Sequence, residues 1–254
     1  MIGRVIWFGA LAGVAVLTTA LQLDLRARAV PATATLVPEP LRNYAQTRIT
    51  QDAVAGTDTK AALAEARRLV HRRPLPAEYL ALLAVAQAKD GQMEAAGRTI
   101  QIAGQRGWRE PVTQEAVLRL ALAAGDKPEA ARRYAALFLR RQTPDALLKE
   151  LGPAVLAEAG GEGQATIAAI VIGAERWRTT FLRRGARVMP PAAFSAIVVR
   201  SLAQGATFNC DVLAQSIREV IQRDTVAANT LAVAGARSCP KIAPQTAPKA
   251  RPPL

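Results

Sequence analysis

The chain has 254 residues, half of them apolar but only 4% aromatic, so any core is built mainly from Ala, Leu, Val and Ile. Such side chains suit helices that pack closely. Thirty-three Lys and Arg against 20 Asp and Glu give a formal charge of +13, with one histidine and two cysteines. The charge favours anionic partners, and the single histidine excludes a His-cluster metal centre.

The first element is Val5 to Leu23, a 19-residue run without a formal charge, VIWFGALAGVAVLTTALQL. As a helix it spans roughly 28 Å, close to the hydrocarbon thickness of a bilayer. Arg4 precedes it, and Asp24, Arg26 and Arg28 follow. The run exceeds the usual apolar core of a signal peptide and reads as an uncleaved transmembrane anchor. Thr18-Thr19-Ala20 and Ala27-Arg28-Ala29 keep signal cleavage open as the alternative. Both readings export the body, which places it in the periplasm on a bacterial inner membrane. The positive-inside rule taken alone would keep it cytoplasmic, but long domains translocate largely regardless of charge.

Residues 24–40 read as a Pro-rich spacer, extended over VPATATLVPEP at 30–40. From Leu41 the pattern turns to helix–turn–helix units. Ala62, Ala96 and Ala130 are 34 residues apart, as are Gly91 and Gly125. In units 43–76, 77–110 and 111–144, the middle one carries Leu80, Leu83, Ala84, Gly91, Ala96 and Ala103. The third adds Val117, Gly125, Ala130 and Tyr134, and the first Ile49, Ala62 and Pro74. On these residues the stretch 41–146 resembles the tetratricopeptide-repeat family. Gln87 departs from the aromatic usual in that family, and Trp108 and Gln142 replace its closing proline. The resemblance implies an all-α repeat solenoid, a binding scaffold rather than an enzyme, following one membrane helix.

Residues 147–239 stay helical without a clean period, as degenerate repeats or a capping domain. Segments are expected at 147–159, 164–172, 192–204, from an Asn209 or Asp211 cap to Gln222, and at 225–236. Residues 240–254, with five prolines and three cations, read as a disordered tail.

Chemistry-bearing motifs are sparse. His71 sits inside RRLVHRR, where cations oppose a metal ion and no carboxylate orients a triad. Gly160-Gly161-Glu162-Gly163 lacks the Lys and Ser/Thr of a phosphate loop. Glu175, Trp177 and Phe181 group a carboxylate with aromatics, but glycoside hydrolysis needs a second carboxylate. Trp177 and Phe181 at i, i+4 read as a packing pair. No cofactor, metal or catalytic residue is expected.

Arg72, Arg106 and Arg140 share the 34-residue spacing and form a candidate partner-binding row, with helix-dipole complementation as the plain alternative. Asp58 and Asp126 stand near the opposite helix ends. Cys210 and Cys239 are a candidate disulfide in an oxidising compartment, or two buried thiols. The functional expectation is a membrane-tethered adaptor for another envelope protein or an acidic polysaccharide. Similar tetratricopeptide proteins accompany exopolysaccharide assembly. A glycan-cleaving envelope enzyme and an oligomerising structural subunit are the alternatives. Nucleic acid ranks last, since no recognition motif is visible.

Overall fold

The computed structural model describes residues 2–240 and 242, whose regular secondary structure is all helical, with no strand among them. Two compact units follow one another, Met1–Thr113 and Gln114–Leu254. The division falls well before the expected change of pattern at 146/147.

The first unit opens with α1 (Ile2–Ala27), long and apolar enough to cross a membrane. Ile6, Trp7, Phe8, Val14 and Val16 along it are exposed. Thr18 Oγ1 donates to the Val14 carbonyl at 2.9 Å and Thr19 Oγ1 to that of Ala15 at 2.8 Å, so both hydroxyls are satisfied within the helix. Residues 30–40 are not extended. They form two short 3-10 turns, Pro31–Leu36 and Glu39–Leu41. Pro31 presets φ for the first turn. Burial of Ala34 and Val37 with Ala27 and Ala45 gives the segment a reason to fold back.

The helices α2 (Tyr44–Ala55), α3 (Thr59–Arg72), α4 (Ala77–Lys89) and α5 (Met93–Arg106) then pack each on the next, with α2 also touching α4. Their apolar cluster is small: Val54, Ala62, Leu63, Ala66 and Ala86. A polar contact joins α1 to α2. Asp24, only 4% exposed, accepts the backbone N–H groups of Asn43 (2.7 Å), Tyr44 (3.1 Å) and Ala45 (2.9 Å). Asn43 precedes α2 but gives no side-chain cap. Asp24 takes that role from the end of another helix, satisfying donors that the first turn leaves orphaned.

The helix α6 (Pro111–Ala123) carries the chain into the second unit. There α7 (Lys127–Phe138), α8 (Asp145–Val155), α9 (Glu162–Gly173), α10 (Arg178–Val188), α11 (Pro191–Ala203), α12 (Cys210–Ile221) and α13 (Thr225–Ala236) follow. The helix α7 packs on α9, α9 on α11 and α11 on α13, while α8 packs on α10 and α10 on α12. One continuous core results, threaded by Tyr134, Phe138, Phe181 and Phe194 with successive ring centroids 6.3, 5.9 and 5.6 Å apart. Cys210 and Cys239 are bonded, with Cα atoms 5.6 Å apart, tying the start of α12 to the segment after α13. Within the expected tail, Ile242 is buried in this core; Lys241 and residues 243–254 lie outside the described residues.

The helix starts recur at a nearly constant interval over much of the chain. The helices α3, α5, α7 and α9 start at residues 59, 93, 127 and 162, and α2, α4, α6, α8, α10 and α12 at 44, 77, 111, 145, 178 and 210. Past residue 147 the interval loosens, to 32 from α10 to α12 and to 29 from α9 to α11, which starts at 191, so the regular recurrence belongs to α2 through α10. The local cause is visible at Gly91 and Gly125, whose φ values are +79° and +75°. Each closes a helix with the same two bonds: Gln92 N–H to the Gln87 carbonyl and Gly91 N–H to Ala88, then Asp126 N–H to Ala121 and Gly125 N–H to Leu122. A side chain would strain that left-handed turn. Asp58 and Asp126 cap α3 and α7, accepting from Ala61 N–H and Glu129 N–H at 2.9 Å.

Candidate anion-binding cleft

A cleft of about 540 Å³ lies within the second unit, between the segment joining α7 to α8 and one face of α10. Thr180, Arg183, Arg184 and Arg187 are spaced i, i+3, i+4 and i+7, so α10 turns all four to the cleft while burying Phe181, Leu182, Gly185 and Val188. Arg141, Gln142 and Thr143 line the opposite side.

Arg184 holds the two sides together. Its side chain is 11% exposed, and Nη1 donates to the Phe138 and Arg140 carbonyls at 2.5 and 2.7 Å. Nη2 donates to the Thr143 carbonyl, and Nε to Asp145 Oδ1 at 2.9 Å. The guanidinium also lies 5.6 Å from the centre of the Phe138 ring. One side chain therefore satisfies carbonyls left open at the end of α7 and fixes the loop after it. Asp145 is the only acidic residue in the lining and is engaged by Arg184, with Arg187 at 3.9 Å.

Arg141, Arg183 and Arg187 remain exposed. Neither Arg141 nor Arg183 pairs with a carboxylate among the described residues. Thr143, 5% exposed, has a buried Oγ1 without a hydrogen-bond partner, and the Arg140 Nε is in the same condition. Three guanidiniums with spare donors around a concave surface suit carboxylate or phosphate oxygens. The apolar contribution of Phe138, Leu139 and Pro144 adds a surface for non-polar atoms beside them. Beneath the cleft, Tyr134 donates to the Leu148 carbonyl at 3.1 Å, and burial pushes its phenol well above the usual value.

The spaced arginines have different neighbours. In the first unit, Arg72 Nη1 donates to the Arg42 carbonyl at 2.8 Å and Arg106 Nη1 to that of Pro74 at 2.9 Å. Each ties the end of a helix to the loop that enters the preceding one. Arg140, in the second unit, is partly buried, and its carbonyl is held by Arg184. Arg98 and Arg132 pair with Glu94 and Glu129 on their own helices. His71 is exposed, and no group of three or more His, Cys, Asp or Glu that could hold a metal occurs among the described residues. Glu175 is exposed, whereas Trp177 and Phe181 line one small apolar cavity of about 20 Å³ with Ile167 and Met189.

Arg141, Arg183, Arg184 and Arg187 escape a sequence reading centred on the 34-residue period. Their signal was the i, i+3, i+4, i+7 run of Thr180 and three arginines on one helix. Compared with protein-family models, curated proteins and solved structures, the chain matches none.

Proposed function

We propose that this protein is a membrane-tethered, non-catalytic scaffold of tetratricopeptide-like helical repeats that holds an acidic segment of another envelope protein. The observation that carries the reading is the cleft lined by Arg141, Arg183 and Arg187, with no free carboxylate to compete. The recurring helix starts and the alternate packing of α7 to α13 support a stacked repeat, the architecture that presents extended binding surfaces. An acidic peptide fits better than an acidic glycan, because the arginines alternate with Phe138, Leu139 and Pro144, and no exposed aromatic ring offers a sugar platform in the lining. The helix α1 is the tether, and the Asp24 contact favours its retention: cleavage after Ala29 would remove the carboxylate on which the start of α2 depends. The body is exported with it.

The test uses the full chain in detergent and a fluorescent peptide alternating Glu with Leu. Replacing Arg141, Arg183 and Arg187 with Gln is expected to weaken binding at least about tenfold, since each lost charged hydrogen bond is worth roughly 1.5–3 kcal/mol. Changing the exposed Lys149, Arg200 and Arg218 to Gln controls for net charge and should change binding by less than about twofold. Equal losses in the two triple variants refute a specific cleft. Binding of polygalacturonate in preference to the peptide would transfer the site to acidic polysaccharide.

A further inference from the structure

The Asp24 contact does more than start α2. Around it stand five arginines, Arg26, Arg28, Arg42, Arg72 and Arg73, none of which forms an ion pair with a described carboxylate. Elsewhere in the first unit, Arg48, Arg68 and Arg98 are each paired with an acid. Arg67, Arg106 and Arg109 are likewise without a carboxylate partner among the described residues, so what sets the five apart is their position beside the Asp24 contact.

Their position follows from bonds to the residues that Asp24 clamps. Arg73 Nη1 donates to Asn43 Oδ1 at 3.1 Å, Arg72 Nη1 to the Arg42 carbonyl at 2.8 Å, and the Arg28 guanidinium lies 5.8 Å from the centre of the Tyr44 ring. Arg42 Nε donates to the Val37 carbonyl at 2.8 Å. Arg26 is on α1 itself, about 3 Å along the axis beyond Asp24. Asp24 ends the charge-free run, so all five cations gather where the apolar helix gives way to the body. The two acids nearby offset them only in part: Asp24 keeps its negative charge while accepting three N–H groups and so balances one of the five cations, and Glu39 pairs with Arg68 at 3.2 Å. Beside them, Val30 and Leu36 are exposed on the turns that fold back along α1.

We infer that these arginines form a collar that binds the headgroups of anionic phospholipids where α1 leaves the bilayer. The inference rests on the reading of α1 as a membrane span. Each guanidinium used in the fold spends only one or two of its five N–H groups, so donors remain for phosphodiester oxygens. Val30 and Leu36 enter the acyl boundary beneath them, and the Asp24 clamp holds α2 at the depth where headgroups lie. An exposed charge cluster joined to the span through a flexible linker would attract the same lipids without ordering them. Here the body is fixed to the helix, so the lipids become part of its seat.

The experiment reconstitutes the full chain in phosphatidylcholine bilayers carrying a trace of spin-labelled phosphatidylglycerol or spin-labelled phosphatidylcholine. The fraction of motionally restricted label measures each lipid's association. Phosphatidylglycerol should be preferred at least about threefold, in line with the known attraction of basic side chains to anionic surfaces. The preference should fall to near one when all five arginines become Gln and persist when all five become Lys, which keeps the charge. Arg26→Gln with Arg28→Gln, where neither side chain hydrogen-bonds the fold, should remove part of it. Soluble glycerol phosphate in excess should not abolish the preference; if it does, the site takes a free phosphate and the lipid assignment fails. Equal restriction of both lipids by the wild-type chain, in protein retained through an alkaline wash, overturns the collar and leaves the span intact. Loss of the protein in that wash overturns both.

Discussion

The two units reach stability by different means. In the second, one apolar core runs unbroken from Leu118 to Ile242 with four aromatic rings in series and a disulfide across its end. In the first, apolar clusters are small and rich in alanine, and polar ties carry much of the joining. Gln46 Nε2 donates to Glu65 Oε2 at 2.6 Å, Thr50 Oγ1 to the Glu65 carbonyl at 3.2 Å, and Lys89 Nζ to the Val54 and Gly56 carbonyls. A unit held by burial tolerates loss of a surface charge, whereas a unit held by ties is sensitive to single polar atoms. Burial stabilises in proportion to area, while an orphaned buried polar group costs most of its desolvation penalty.

The comparison can be broken most sharply in the second unit. Phe194→Ala removes a fully buried ring that stacks on Phe181, and should cost about 3–5 kcal/mol. Hydrogen exchange followed region by region should show protection lost across α7 to α13 and kept in α2 to α4. Loss in both units alike would show that they do not stabilise independently. Breaking the disulfide comes next. Replacing Cys210 and Cys239 with Ser opens a loop closed across a separation of 29 residues and should cost roughly 3–4 kcal/mol on the chain-entropy account. Reducing agent should lower the thermal midpoint of the wild-type protein and leave that of the double variant unchanged.

For the first unit, Asp24→Ala leaves three backbone N–H groups without their acceptor and should cost about 2–3 kcal/mol. The loss of exchange protection should concentrate at residues 43–46, with the second unit unaffected. An effect below about 0.5 kcal/mol would mean that water replaces the carboxylate freely and that polar ties matter little there.

The smallest effect is a pH dependence. Burial of Glu129 works to raise its carboxyl, but hydrogen bonds from Arg132 and Arg133 outweigh it and hold the group below its ordinary value of 4.5. A depressed carboxyl contributes stability that is present above the unfolded value and is lost as pH falls through the folded one. The midpoint difference between wild type and Glu129→Gln should therefore be constant near neutrality and shrink below about pH 4.5. A difference that grows on acidification would reverse the assignment.

How far the sequence could be read depends on whether a feature is local. Gly91 and Gly125 are legible because a left-handed turn selects glycine at the position itself, and Asp58 and Asp126 because a cap acts within three residues. Asp24 was not, because its donors lie 19 to 21 residues away and are backbone groups that any residue supplies. The 30–40 segment misled through its prolines, since the burial of Ala34 and Val37 depends on α1 and α2 being in place. Arginines were hardest of all. Arg178 donates to the Val171 and Ile172 carbonyls, Arg223 to those of Ala186 and Met189, and Arg184 to three more. Nothing in the composition separates these backbone ties from Arg141 and Arg183, which pair with no carboxylate among the described residues. The cleft was thus visible only as a surplus of charge.

The Asp24 contact also has a bearing on the order in which the chain assembles. Its acceptor and its last donor, Ala45, are separated by 21 residues. At a synthesis rate of roughly 5–20 residues per second, the ribosome covers that distance in about 1–4 s. The carboxylate is therefore made before anything exists for it to hold, and its donors arrive while most of the protein is still untranslated. A contact this short in sequence closes quickly once both ends are free. The first tertiary bond of the molecule can form before the second unit has been synthesised, giving every later helix a fixed end from which to build.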